Sequence, residues 1–421
     1  MGLAGAGGSL LLASAVLLPP ALAAPGAAPT TKPTKSAKPT TGSGKTVTAK
    51  VTVTQKPPKP TPTVSCQLQY AGSPASEIKV EPWPQRQLGF TDVWPLTRGA
   101  GVTVGVVDSG VDVSHRQLQG RVQSLDVTRT TTRDCLGHGT MAAGIIGAQD
   151  LRAQQIPFVG VAPAARILSV KEATAEKSDA RFLADAIREA AKRGAKVINV
   201  SSRAPDSRLL KSAVTFAQSK DALIVAAAGN VDGADASTAA PAYPANYPGV
   251  VAVGAIGSDG QLWEHSNIQT RVTVVAPGKD VVSTWADGLY RQDSGTSFSA
   301  PFVAGVAALV RSYYPKLTYQ QVAHRIEATA DGGTVAGTGA GVVNPLQAVT
   351  AVLPEENGAV PSSARPPAVA IVRPGPTDTF TRTLGLSLAG GALVVAGALA
   401  LGGAIVPAAR RRHWRSGRRT S

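Results

Sequence analysis

The chain has 421 residues, of which 43% are apolar, so it can form one large enzyme domain or two to three average domains. Its net charge of +15 favours an anionic partner, but thirteen positive charges lie on seven lysines in the first 65 residues and six arginines in the last twelve. About +2 remains for everything between, which removes the main support for nucleic-acid binding.

The N-terminus has the pattern of an export signal. An apolar stretch, Leu10–Leu18, is followed by two prolines and by the small-residue run 21–23, which is typical of a signal peptidase site. The usual preceding positive charge is missing, since the first lysine is Lys32. We predict a signal peptide over residues 1–24, with either a true start further upstream or an atypical signal. A buried hydrophobic segment is the alternative.

Residues 25–65 are rich in Thr, Pro and Lys and contain no acid, a composition that predicts an extended linker. The chain contains only two cysteines, Cys66 and Cys135. In an exported chain a disulfide between them is the simplest interpretation, and a pair of free buried thiols is the alternative.

From about residue 100, short apolar runs rich in β-formers alternate with amphipathic helical patterns. The runs cover 102–108, 197–200, 222–228, 250–253 and 272–275, and the helical patterns cover 182–190 and 209–217. Continuous apolar strands between helices predict an α/β fold with a mostly parallel sheet covered by helices on both sides. Functional sites in such folds lie at the carboxyl ends of the strands.

Two candidate site residues stand in the first half of this region. Asp108 closes the first apolar run, and His138 lies between two glycines ahead of an apolar helix. Each has a structural alternative: Asp108 as a turn or helix cap, and His138 as an ordinary structural histidine. The other histidines have polar neighbours and are predicted to lie on the surface, in loops or in the C-terminal tail: His115, His265, His324 and His413.

Two further candidates stand in the second half. Asn230 ends the run Ala226–Asn230, where its amide could donate to a developing oxyanion, or simply form a turn. Ser297 precedes an apolar helix in which Pro301 is tolerated near the start. The positive end of that helix would favour an oxyanion, whereas the alternative role for Ser297 is an N-cap.

The C-terminal region predicts a membrane anchor. Residues 353–383 form a Pro-rich linker, and residues 384–409 contain no charged side chain over a length that exceeds the roughly 20 residues needed to cross a bilayer. Six arginines in the basic tail, residues 410–421, place the C-terminus in the cytoplasm by the positive-inside rule.

Taken in order, the segments DSG (108–110), GHGT (137–140), AAAGN (226–230) and GTSFSAP (295–301) resemble those of subtilisin-like serine proteases, from about Thr91 to Thr350. The resemblance implies a subtilisin-like three-layer domain over residues 66–352 with an N-terminal extension. We expect no cofactor and assign no residue as a metal ligand. The resemblance also implies Asp108, His138 and Ser297 as catalytic residues and Asn230 as the oxyanion donor.

Within that family the chain is similar to the mycosins, the membrane-anchored proteases associated with type VII secretion. The similarity is carried by PWPQRQLG (82–89), VWPLTRGAG (93–101), Cys135 ahead of GHGT, and the anchor with its arginine tail. It implies an extension that packs on the domain, and a disulfide from that extension to Cys135, which Cys66 can supply. A second cysteine pair common in mycosins is absent.

The segment Asn199–Pro205 differs from the glycine-containing Ser-Leu-Gly-Gly of many subtilisins, which predicts narrow specificity. We therefore expect an exported serine endopeptidase with a single C-terminal anchor in the cell membrane, its catalytic domain outside, acting on protein substrates of a type VII-like secretion system. The alternative is a structural subunit of the secretion complex in which proteolysis is secondary.

Overall fold

The structure is a computed structural model that describes residues 66, 74–174, 179–231, 239–333, 335–356, 387, 390–392 and 394–400. Its central feature is a sheet with the strand order β2-β3-β1-β4-β5-β6-β7, in which every neighbouring pair is parallel. These strands are β1 Thr103–Asp108, β2 Val122–Asp126, β3 Arg166–Lys171, β4 Val197–Val200, β5 Leu223–Ala227, β6 Val251–Ile256 and β7 Val274–Pro277. All five apolar runs are strands, as the sequence predicted.

Helices cover both faces of this sheet. The helices are α1 Trp83–Leu88, α2 His138–Gly147, α3 Ala180–Lys192, α4 Arg208–Ser219, α5 Thr296–Tyr313, α6 Tyr319–Ala328 and α7 Pro345–Thr350. Side chains alternate along β1, so that Val106 packs in the core that contains α2 and α5, while Val107 packs in the core that contains α3 and α4. Burial on both sides explains why the strand sequences are apolar throughout. The predicted three-layer α/β arrangement is confirmed.

An antiparallel hairpin, β8 Val281–Thr284 and β9 Tyr290–Asp293, lies outside the main sheet. The prediction that His115 lies on the surface is wrong, because its side chain is fully buried. The His115 ring makes an edge contact with Tyr290 at 5.2 Å, and its Nε2 lies 3.1 Å from the Leu289 carbonyl oxygen. His265 and His324 are exposed as predicted, and His413 lies outside the described residues.

The segment before β1 packs on the domain, as the mycosin resemblance implies. Ala75 exchanges two backbone hydrogen bonds of 2.8 Å with Tyr290, and Trp83 Nε1 donates to the Asp280 carbonyl at 3.1 Å. Phe90 and Val93 are buried in the main core. The extension therefore forms part of the same hydrophobic core as the sheet.

Within the described residues, which include helical positions at 387, 390–392 and 394–400, no helix has the length and hydropathy needed to cross a membrane. The rest of the predicted span 384–409 lies outside the described residues, as do the predicted signal peptide, the first linker and the basic tail.

Candidate active site

The four candidate residues lie where strands end and helices begin. Strand β1 ends at Asp108, and Asn230 follows the end of β5 by three residues. Helix α2 begins at His138, and Ser297 is the second residue of α5. Within the described part of the chain, no group of three or more His, Cys, Asp or Glu residues could hold a metal ion.

Asp108 and His138 form a hydrogen-bonded pair. The Asp108 carboxylate is buried, and His138 Nδ1 lies 2.8 Å from Oδ1 and 3.0 Å from Oδ2. Because Nδ1 faces a carboxylate, it carries the proton, which leaves Nε2 as the lone-pair nitrogen of the neutral ring. Burial disfavours the imidazolium, but the charge of Asp108 and its hydrogen bond outweigh burial and raise the pKa of His138 to about 9.

The loop that carries His138 is organised by a second buried carboxylate, Asp134. One oxygen accepts hydrogen bonds from Ser109 Oγ and from the backbone N–H groups of Leu136 and Gly137, at 2.8–3.0 Å. The other accepts from the N–H and hydroxyl of Thr140, at 2.9 and 2.6 Å. Five donors converge on one side chain, so Asp134 fixes the loop from which the imidazole projects. No sequence pattern predicted this role for Asp134.

Gly137 is the N-cap of α2 and has a backbone conformation, φ 80°, that favours glycine. A methyl group at this position would also overlap the ring of Trp285, which packs against the loop. Both constraints require glycine directly before His138.

The side chains of Ser297 and Asn230 both lie next to Gly295. A methyl group at Gly295 would lie 2.9 Å from Ser297 Oγ and 3.3 Å from Asn230 Nδ2, so both atoms border the same small space. Thr296 fixes the orientation of the Asn230 amide, because its N–H and its hydroxyl both donate to Asn230 Oδ1, at 3.0 and 2.8 Å. Its hydroxyl also accepts from the Gly229 N–H at 3.1 Å. Consequently Nδ2, the donor end of the amide, faces the space beside Ser297.

The alternative that Ser297 only caps a helix is wrong. The N-cap of α5 is Gly295, and no side chain caps this end. The Ser297 carbonyl is held by the hydroxyl of Ser201 at 2.7 Å, which anchors the helix start to the segment after β4. Within the described residues, the Ser297 hydroxyl makes no hydrogen bond, and the side chain is partly exposed.

Phe298 places the Asp108–His138 pair beside Ser297 and Asn230. The centroid of its ring lies 4.9 Å from that of the His138 ring. Phe298 follows Ser297 in α5, so this contact puts the imidazole next to the helix start. Within the described part of the chain, no direct hydrogen bond joins Ser297 Oγ to His138. Catalytic hydrogen bonds are often long or absent without substrate and form when it binds.

Cys66 and Cys135 form a disulfide, so the alternative of two free thiols is wrong. Cys135 directly follows Asp134, so the bond joins the extension to the loop that carries His138. Lys171 at the end of β3 donates to the Arg133 carbonyl at 2.7 Å and to Cys135 Sγ at 3.7 Å. Burial lowers the pKa of Lys171.

The segment after β4 forms a wall next to the site. Ser202 donates to Oε1 of the buried Glu172 at 2.5 Å, and the Ala204 N–H donates to the Tyr243 carbonyl at 2.9 Å. Between them, Arg203 is exposed, and its Cδ would lie 3.5 Å from a methyl group at Gly229.

A mostly parallel three-layer fold with an Asp–His pair beside a serine at an open helix start defines a serine endopeptidase of the subtilisin type. Residues 99–356 match the peptidase S8 subtilase family, and the chain belongs to this family. It is 37% identical to Mycosin-4 of Mycobacterium tuberculosis over 76% of this chain and 80% of that relative. It is 34% identical to Mycosin-3 of the same organism over 81% and 86%. The chain is thus a protease of the mycosin type.

Solved structures agree with this assignment. The crystal structure of MycP1 with the N-terminal propeptide removed is 34% identical, has a TM-score of 0.59, and matches 65% of this chain and 98% of that one. The structure of the MycP3 protease from the type VII (ESX-3) secretion system is also 34% identical at a TM-score of 0.59, over 68% and 91%.

Proposed function

We propose that the protein is an exported, membrane-anchored serine endopeptidase that hydrolyses peptide bonds with Asp108, His138 and Ser297, and that it processes proteins delivered by a type VII-like secretion system. The observation that carries the catalytic part is the arrangement at the start of α5. An accessible serine with no capping role lies beside an Asp–His pair and an oriented amide donor.

In this mechanism Ser297 Oγ attacks the carbonyl carbon of the scissile peptide bond while His138 Nε2 takes the hydroxyl proton. His138 then gives this proton to the leaving amine, and a water molecule repeats the sequence to release the acyl group. Asp108 holds the Nδ1–H tautomer and stabilises the imidazolium through the bonds of 2.8 and 3.0 Å. The same contact that raises the pKa of His138 thus stabilises the cation formed during the reaction.

The tetrahedral oxyanion would be held by Asn230 Nδ2 and the Ser297 backbone N–H. The latter belongs to the first turn of α5, whose N–H groups have no intrahelical partners. Loss of one such donor costs about 100- to 1000-fold in kcat. Thr296 supports this role because it occupies both acceptor directions of the Asn230 oxygen.

The cellular setting rests on the sequence and on the relatives. The uncharged segment 384–409 followed by the arginine-rich tail supports a single anchor with the catalytic domain outside the cell. One matched MycP1 structure is described as an essential component of the type VII (ESX-1) secretion system. The same similarity supports the second candidate function, a structural subunit of the secretion complex.

The test compares host strains that carry the wild-type gene, Ser297→Ala, a full deletion, and Ser312→Ala as a control at the far end of α5. We expect a set of secreted proteins whose N-termini shift in Ser297→Ala and in the deletion, but not in Ser312→Ala. Identical N-termini in wild type and Ser297→Ala, with equal protein levels, would overturn the processing function. Secretion that survives Ser297→Ala but fails in the deletion would establish the structural role.

A further inference from the structure

The wall after β4 is placed to contact the substrate residue that precedes the cleaved bond. Strands β4 and β5 are neighbours with Val200 opposite Ala226, so the segments that follow them run beside each other past the sheet edge. On the segment after β4, the Ser201 hydroxyl donates a hydrogen bond to the Ser297 carbonyl. On the other, Gly229 is the residue directly before Asn230.

The side chain of Arg203 crosses from one segment to the other. The three atoms nearest to a methyl group built at Gly229 would be Ala242 Cβ at 3.0 Å, Arg203 Cδ at 3.5 Å and Asn267 Nδ2 at 3.5 Å. The space beside Gly229 is therefore bordered by a methyl group, an amide donor and the stem of a cationic side chain. The guanidinium itself is on an exposed residue.

Within the described ranges, no carboxylate of a neighbouring element pairs with Arg203. Glu172 is buried in the wall, where it accepts the Ser202 hydroxyl, and Asp206 accepts the Tyr247 hydroxyl at 2.6 Å. Among the described residues, no hydrogen bond or ion pair reaches Arg203. An exposed guanidinium without a partner in the described part of the chain is well suited to bind a carboxylate with two parallel hydrogen bonds.

We propose that Arg203 selects substrates with aspartate or glutamate immediately before the scissile bond. This inference rests on the proposed roles of Ser297 and Asn230. When the carbonyl oxygen of that substrate residue binds Asn230 Nδ2, its side chain enters the space beside Gly229, which directly precedes Asn230 and is bordered by the wall. The carboxylate then meets the guanidinium, and the Arg203 stem limits the room for a large aromatic side chain.

The preference can be measured with the purified full-length protein and a library of peptides from a digested proteome, followed by a matched peptide series. The series differs only at the residue before the cleaved bond: Glu, Asp, Gln, Leu or Lys. We expect Glu or Asp to exceed Gln by about 2- to 5-fold in kcat/KM, the range for an ion pair with an exposed guanidinium. Added salt should lower this ratio.

Two variants and one control assign the effect to Arg203. Arg203→Met keeps most of the stem and should make kcat/KM equal for the Glu and Gln peptides. Arg203→Glu should shift the preference to the Lys peptide. Arg208→Met, which removes another exposed arginine five residues away, should leave the Glu-to-Gln ratio unchanged. A ratio near one in wild type, or a ratio that survives Arg203→Met, would overturn the proposal.

A fluorophosphonate probe separates this proposal from the proposed function. Wild-type protein that labels at Ser297, yet cleaves the library without enrichment of acidic residues or not at all, contradicts the role of Arg203 alone. Folded wild-type protein that does not label contradicts the catalytic function itself.

Discussion

Removal of the Cys66–Cys135 disulfide should lower stability without removing activity. The bond joins residues 69 apart in sequence and so closes a long loop. The loop-closure entropy of such a cross-link corresponds to about 4 kcal/mol at 25 °C. For a domain of this size about 1 kcal/mol shifts Tm by roughly 2–4 °C, so Cys66→Ser should lower Tm by about 8–16 °C.

Catalysis should survive because the disulfide is not the only restraint on the loop before His138. Asp134 holds that loop through five hydrogen bonds that do not involve sulfur. The extension also remains anchored by its backbone pairing with Tyr290 and by its buried side chains. We therefore expect kcat within about twofold of wild type at temperatures well below the lowered Tm.

The assay is thermal unfolding of the detergent-solubilised full chain, followed by circular dichroism, for wild type and for Cys66→Ser with and without a thiol reductant. Since the chain has only these two cysteines, reduced wild type should match the variant, and the reductant should not affect the variant. A Tm change below 2 °C would refute the loop-closure argument. A loss of activity at low temperature would refute the claim that Asp134 holds the loop.

Three further predictions concern buried charges. Asp134→Asn should cost about 1–3 kcal/mol of stability and lower kcat, because the donors that face its second oxygen lose their acceptor. The kcat/KM of wild type should rise with pH up to about 9, because His138 must be neutral to accept a proton. Asp108→Asn should move this rising part of the pH profile to lower pH and lower kcat about 10⁴-fold. Glu356→Ala should cost about 3–5 kcal/mol, because Arg325, bonded at 2.9 Å, is then buried without its partner.

Each of these has a clear contradicting result. A wild-type Tm and kcat for Asp134→Asn would show that the loop does not depend on its carboxylate. An acid limb centred at or below pH 6.5 would show that Asp108 does not raise the pKa of His138. Denaturant unfolding of Glu356→Ala within 1 kcal/mol of wild type would show that the Arg325 charge finds another partner.

The fold was predictable because a parallel sheet buried on both faces leaves a strong pattern. Each predicted apolar run became a strand within one or two residues, except that β6 extends three residues past its run, to Ile256. The positions of Asp108 and Asn230 were predictable for the same reason, since Asp108 ends one such run and Asn230 lies two residues past another. Strand ends are visible in a sequence, and they mark one edge of the sheet.

The supporting residues were not predictable because their roles depend on partners distant in sequence. His115 has polar neighbours along the chain, and its burial involves Tyr290 of the distant hairpin. The GTS segment drew attention to Ser297, but not to the direction of the Thr296 hydroxyl toward Asn230. Asp134 stands in a polar stretch that carries no periodic signal, and its role appears only when five donors converge.

The central claim is that Ser297 is a nucleophile activated by His138, and active-site labelling tests it most directly. Folded wild-type protein, Ser297→Ala and Ser312→Ala are incubated with a fluorophosphonate at pH 9, and the modified residue is located by peptide mass spectrometry. We predict one labelled residue, Ser297, in wild type and Ser312→Ala, and no label in Ser297→Ala. Label on another residue, or equal labelling of Ser297→Ala, would contradict the account.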